Sequence, residues 1–135
     1  MSVKSILTKT ADETWAGTEN WPKFTIYKFK KEEKISGLEA CTTNQLHNPR
    51  ESNFARGQTD TFSLDQVLGG CKTMQFGTEP DWVNIELSTK GYDQWLMEYA
   101  LIFFTDNSYW RCTNTERKWL WKTFPFTLKC ILIEG

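Results

Sequence analysis

Short runs with a two-residue period dominate the chain. The run 24–29 (Phe-Thr-Ile-Tyr-Lys-Phe) is rich in strand formers, and 59–64 sets Phe62 and Leu64 on one face. The run 72–76 repeats the pattern with Met74 and Phe76. The longest run, 95–104, is too apolar for a half-exposed strand and predicts a central strand covered over most of its length. Near the end, Phe124, Phe126, Leu128, Cys130 and Leu132 alternate with Pro125, Thr127 and Lys129, which predicts a strand with one face inward. Gly, Pro, Asn and Asp punctuate the runs. A single turn over 65–68 is the one helical signal, and nothing longer carries a 3.6-residue period. Many short strands separated by turn residues predict an all-β sandwich or barrel.

Three connections stand out, at 11–20, 30–56 and 78–93, the middle one with a short strand near 35–41. Connections held on a rigid scaffold are where binding residues concentrate. The 135 residues suit one domain, 1–135, with one core. Seven Trp, four Tyr and nine Phe are more rings than one small core encloses, so some must lie near the surface. The net charge of −1 is mixed along the chain without a basic stripe. That argues against nucleic acid as a partner and against a purely electrostatic membrane attachment.

No stretch approaches the roughly 20 apolar residues of a transmembrane helix. Residues 1–10 alternate and lack a secretory apolar segment, which leaves a cytoplasmic chain or a mature N terminus. The four cysteines, Cys41, Cys71, Cys112 and Cys130, are widely spaced, and their pairing is open. Without a Cys-x-x-Cys, and with His47 remote from every cysteine, a zinc site is disfavoured. Disulfides in a secreted, extracellular protein are favoured over cytoplasmic thiols.

Catalysis finds no foothold. His47 stands alone in a polar connection, and neither Gly-x-Ser-x-Gly nor His-Glu-x-x-His occurs, so the chain is read as a non-enzyme. The run Lys30-Lys31-Glu32-Glu33-Lys34 reads as a solvated hairpin tip. Residues 12–21 are richer: Asp12, Glu13 and Glu19 share a short segment with Thr14, Gly17, Thr18 and Asn20. A calcium ion takes roughly six to eight oxygens, and the spacing is compatible, although composition alone favours an ordinary polar loop. The same segment carries Trp15 and Trp21, and the 78–93 connection carries Trp82. Indoles on loops favour a membrane–water interface. Three at one end of a sandwich would form a docking patch for lipid. Trp95 and Trp119 lie within or beside strand patterns and are expected in the core. The alternative is a lectin-like glycan- or protein-binding sandwich, with rings stacked on sugars and Asn20 and Asp81 bonding hydroxyls.

Four stretches, in order, resemble the PLAT (lipoxygenase-homology) domain. The Thr-rich opening leads into the turn Ala16-Gly17-Thr18-Glu19. Residues 53–62, with Phe54, Arg56, Gly57, Asp60 and Phe62, are similar to the family's Phe-x-Arg-Gly-x-x-Asp-x-Phe signature. Trp95-Leu96-Met97-Glu98-Tyr99 resembles the strand after the variable loop, and Tyr109, Cys112, Trp119 and Leu120 resemble the closing element. The resemblance covers about residues 8–121. It implies an antiparallel sandwich of two four-stranded sheets. It further implies a non-catalytic membrane- or protein-docking role, sometimes assisted by calcium at one end. Carried over, Gly17, Thr18 and Glu19 fall on the calcium turn and Asp93 near a second ligand position. Glu19 replaces the commoner Asp, and 30–37 lacks the family's Asp/Asn-rich ligand pattern. Arg56, Gly57 and Asp60 are expected to shape the fold rather than bind a ligand.

Overall fold

A computed structural model describes residues 1–18, 21–29, 38–47, 53–63, 65–76, 82–86, 94–120 and 126–133. Eight strands carry it: β1 (Val3–Thr10), β2 (Lys23–Phe29), β3 (Leu38–Thr42), β4 (Thr59–Phe62), β5 (Trp82–Glu86), β6 (Met97–Phe104), β7 (Tyr109–Thr113) and β8 (Phe126–Ile133). One helical turn, α1 (Asp65–Leu68), and a 3-10 turn at Gly69–Lys72 complete the elements. Every strand pairing is antiparallel.

The all-β expectation holds, but the division into two four-stranded sheets does not. The strands form one eight-stranded sheet in the order β3-β2-β5-β8-β7-β6-β1-β4. The reason lies in β8. Its first half, Phe126 to Lys129, pairs with β5, and its second half, Cys130 to Ile133, pairs with β7. One strand therefore belongs to both halves, and the sheet curls around it.

Alternation sets the faces. β1 and β6 bury every second residue over most of their length, with Ile6, Thr8, Ala100 and Ile102 inward. Phe24, Ile26, Val83 and Ile85 come from the other half. Each such side chain contributes about 1.5–3 kcal/mol relative to exposure. Phe76, Phe104 and Trp110 form a ring cluster with centroids 4.9–5.5 Å apart.

Two disulfides fix the pairing left open by the spacing. Cys112 and Cys130 face each other across β7 and β8, and Cys41 on β3 joins Cys71 on the 3-10 turn. Three other expectations are corrected. Residues 72–76 make no strand: Gly69 takes a positive φ of 52° into the 3-10 turn, and Cys71 is tied to Cys41. The alternation there reflects the burial of Phe76, whose amide donates to the Met1 carbonyl at 2.6 Å. Trp82 is not in a loop but opens β5, with Trp82 and Asn84 outward and Val83 and Ile85 buried. The long run 95–104 becomes a strand only from Met97, and Trp95 makes an isolated bridge to Leu120.

Candidate functional site

The end of the sheet where β1 finishes also receives the starts of β2, β4, β6 and β8 and the ends of β3, β5 and β7. There the chain leaves Thr10 and folds under its own tip. The Ala11 amide donates to the Leu96 carbonyl (2.9 Å), Ala16 to Glu13 (3.1 Å) and Leu96 to Ala16 (2.9 Å). Ala11, Ala16 and Leu96, with Trp119 packed against them, form a small satellite core beneath the loop. Trp119 is thus half-buried, whereas Trp95 is fully buried, as expected of a core residue. Trp15 sits at the loop tip, 85% exposed, with φ of 66°. A left-handed backbone costs a non-glycine residue about 1–2 kcal/mol.

The residues resembling the PLAT signature support that loop. Gly17 passes so close to the 54–56 backbone that a Cβ would lie 2.8 Å from the Phe54 carbonyl oxygen and 3.1 Å from the Arg56 nitrogen. The Thr18 amide donates to that same Phe54 carbonyl at 3.0 Å. Phe54 has a φ of 59°, and its amide donates to Asp60 Oδ2 at 2.9 Å. Its ring stacks on Phe62 and meets the edge of Trp95. Gly57, at φ of 71°, turns the chain into β4. The buried carboxylate of Asp60 therefore acts as a local cap that fixes the shape of 54–60.

Trp21, just ahead of β2, lies at this same end. It is 41% exposed and stacks on His47 with centroids 4.0 Å apart. The Leu46 amide donates to Pro22, which holds the two segments together. Trp82 does not join them. It stands at the start of β5, across from Lys129, and lies 43% exposed on the outer face of the sheet toward the other end. The structure thus brings Trp15 and Trp21 to one end and separates Trp82. Of the residues read as calcium ligands, Gly17 and Thr18 belong to the described loop, and Glu19 and Asp93 lie outside the described residues. So do Asn20, Asp81 and the run 30–34.

The described carboxylates of the loop already have cationic partners. Arg56 Nε donates to Asp12 Oδ1 at 3.0 Å, and Arg117 donates to Glu13. Thr18 is buried, and no group of three or more His, Cys, Asp or Glu among the described residues is arranged to hold a metal. A hard cation wants free anionic oxygens. Among the described residues, the loop carboxylates Asp12 and Glu13 are guanidinium-paired.

Arg117 was not singled out by sequence reasoning. Its partner is 104 positions away, and it is aimed by a turn at 114–118. That turn hangs on Asn114, which is buried. Its Nδ2 donates to the carbonyls of Met97 (2.8 Å) and Lys118 (2.9 Å), and its Oδ1 accepts from the Lys118 amide (3.0 Å). The Arg117 amide returns to the Asn114 carbonyl at 3.1 Å with Arg117 at φ of 51°. An Asn followed by polar residues at a strand end was the available signal. Among the described residues, the one titrating group held off its ordinary value is remote. Asp106, in the β6–β7 turn at the opposite end, has its carboxyl lowered by hydrogen bonds from the Ser108 hydroxyl and amide.

No family model and no curated protein matches the chain. Solved structures do. Coral 8R-lipoxygenase, described as activated by calcium through a C2-like domain, superposes with a TM-score of 0.63 at 14% identity. The match covers 93% of this chain and 16% of that one. The alpha toxin of Clostridium absonum gives 0.61 at 23% identity over 93% of this chain and 31% of its own. The alpha-toxin of an avian strain of Clostridium perfringens gives 0.57 at 18% identity, over 96% of this chain and 32% of its own. The chain spans between a sixth and a third of these proteins. At such identities the likeness is one of fold, and that fold is C2-like and PLAT-like.

Proposed function

We propose that the protein is a non-catalytic module that docks on a lipid surface through Trp15 and Trp21. The observation that carries this reading is Trp15. A large indole, 85% of it outside the core, is held out on an unfavourable backbone conformation by a loop with its own packed floor. Folding gains little from that side chain, so its benefit lies with something the loop meets. An amphipathic ring with an N–H at one edge suits the boundary between headgroups and acyl chains. Trp21, at the same end, adds a second ring. The resemblance to PLAT domains and the C2-like fold support the same role. No step in this docking runs through calcium, because Asp12 and Glu13 are already paired with Arg56 and Arg117. The two disulfides suit an oxidising compartment and fit an extracellular protein.

Sedimentation with phosphatidylcholine vesicles tests the proposal. Burying an indole contributes a few kcal/mol at most, so binding is reversible. Trp15→Ala should lower partitioning about tenfold or more, and Trp21→Ala should lower it less, because His47 already covers part of that ring. Both variants should keep the thermal transition of the parent. Unchanged sedimentation of a folded Trp15→Ala protein would sink the reading.

A further inference from the structure

We infer that the cleft between the 113–118 segment and β8 binds the anionic phosphate headgroup of a phospholipid, beside the membrane-inserted tip. The cleft opens where β8 exchanges partners. From Phe126 to Lys129 that strand pairs with β5, from Cys130 onward with β7, and the Cys112–Cys130 disulfide pins β7 to β8 at the point of divergence. The space left is about 390 Å³, the size of a small-ligand site. Its walls carry Arg111, Lys118 and Lys129 against one carboxylate, Glu116, which Lys118 engages at 2.7 Å. Among the described residues, Arg111 and Lys129 have no carboxylate partner. Arg111 Nε reaches the Thr113 hydroxyl (3.2 Å) while its guanidinium lies over the Tyr99 ring. Lys129 Nζ stands 5.9 Å from the Trp82 ring.

Both cations border the same space from neighbouring strands. Arg111 stands opposite Ile131, and Lys129 precedes Ile131 by two residues on the same face. Diagonal positions of this kind lie about 7–8 Å apart; Arg111 now leans to the Tyr99 ring and Lys129 to the Trp82 ring, so both long side chains swing off their rings to meet a phosphate in the cleft. Thr113 adds a hydroxyl, and Phe126 and Ile131, the latter 56% exposed, supply apolar surface for the glycerol and upper acyl chain. The wall at 114–118 is rigid, being threaded by the Asn114 bonds, and Arg117 ties it to Glu13, two residues from Trp15. With Trp15 at the interface, the cleft stands at headgroup level.

This inference rests on the docking function proposed above, and the two fail separately. The readout is the ratio of partitioning on vesicles of phosphatidylcholine with one-fifth phosphatidylserine to that on phosphatidylcholine alone, at 0.1 M salt. Each cation near an anionic surface contributes about fivefold, so the ratio for the parent protein should be ten or more. Arg111→Gln with Lys129→Gln should bring it close to one, and Lys129→Glu alone should do the same, because the new carboxylate offsets Arg111. Lys4→Gln with Lys72→Gln, outside the cleft, should keep the parent ratio. An unchanged ratio in the cleft variants, or an equal loss in the control, overturns the cleft. So does binding of inorganic phosphate to the free protein without any gain on anionic vesicles, which would make the occupant a soluble phosphate. If Trp15→Ala sediments like the parent on phosphatidylcholine, it is the docking reading that fails.

Discussion

Trp95 and Trp15 flank the same loop and meet opposite environments. Trp95 lies in the core with its backbone paired both ways to Leu120, and its indole N–H donates to the Thr10 hydroxyl at 2.9 Å. Its ring meets Phe54 at a steep angle, with centroids 5.0 Å apart. Trp15 is exposed on the outer side of a loop whose inner side, through Ala16, is bonded to Leu96, the neighbour of Trp95. One indole has a hydrogen-bond partner and apolar walls on every side; the other has neither. The difference teaches that the loop uses one tryptophan as foundation and holds up another, so that identical side chains divide here between the core and the surface, the surface ring being the one that the proposed docking assigns to lipid.

The largest test of that division removes each ring in turn. Trp95→Ala leaves a core cavity and an orphaned Thr10 hydroxyl, and should cost about 3–5 kcal/mol in denaturant unfolding. Trp15→Ala should change stability by no more than about 0.5 kcal/mol. Equal losses would mean that both rings support the fold. Next comes the staple beside the cleft. Replacing Cys112 and Cys130 by Ser opens a loop of sequence separation 18 and should cost about 3 kcal/mol, read from the midpoint of urea unfolding. Trp15 should remain as accessible to a fluorescence quencher as in the parent, because its support comes from Ala11, Ala16 and Leu96 rather than from β8. Asn114→Ala follows, at about 1–3 kcal/mol for the buried partners left unpaired. It should also loosen the 114–118 turn, seen as faster amide exchange at Arg117 and Lys118.

Much of the foundation was legible in the sequence. The apolar run 95–104 and the two-residue period of the final strand marked the core, and the Phe54-to-Phe62 signature marked a turn whose carboxylate faces inward. What escaped depends on contacts that alternation does not encode. Trp82-Val83-Asn84-Ile85 does alternate, but at five residues β5 is too short to stand out among polar neighbours, so Trp82 was read as a loop ring rather than an outer-face one. The run 72–76 had the right period and the wrong element, because burial of Phe76 needs only one inward side chain. Sharing of β8 between two halves is a property of register, which no single strand carries. The partners of Asp12 and Glu13 lie 44 and 104 positions away, so a segment that is acidic in sequence is, at these two positions, arginine-paired in space.

That last contrast yields the smallest and most discriminating effect. The Arg56–Asp12 and Arg117–Glu13 pairs are half exposed or more, so solvent screens them and each should contribute under about 1 kcal/mol to stability. In the docking proposed above, they keep carboxylates beside Trp15 neutralised as the ring approaches lipid. With both pairs intact, vesicle binding of the parent should be the same with calcium as with a chelator. Arg56→Gln with Arg117→Gln frees two anionic groups next to the tip. Partitioning should then fall about two- to fivefold in chelator, the scale of such pairs. Calcium should restore part of the loss, since adjacent free carboxylates are what a hard cation requires. A parent protein that releases its vesicles on chelation would show instead that the loop takes up calcium in spite of its arginines, and the guanidinium groups would then have to be displaced from Asp12 and Glu13 on binding.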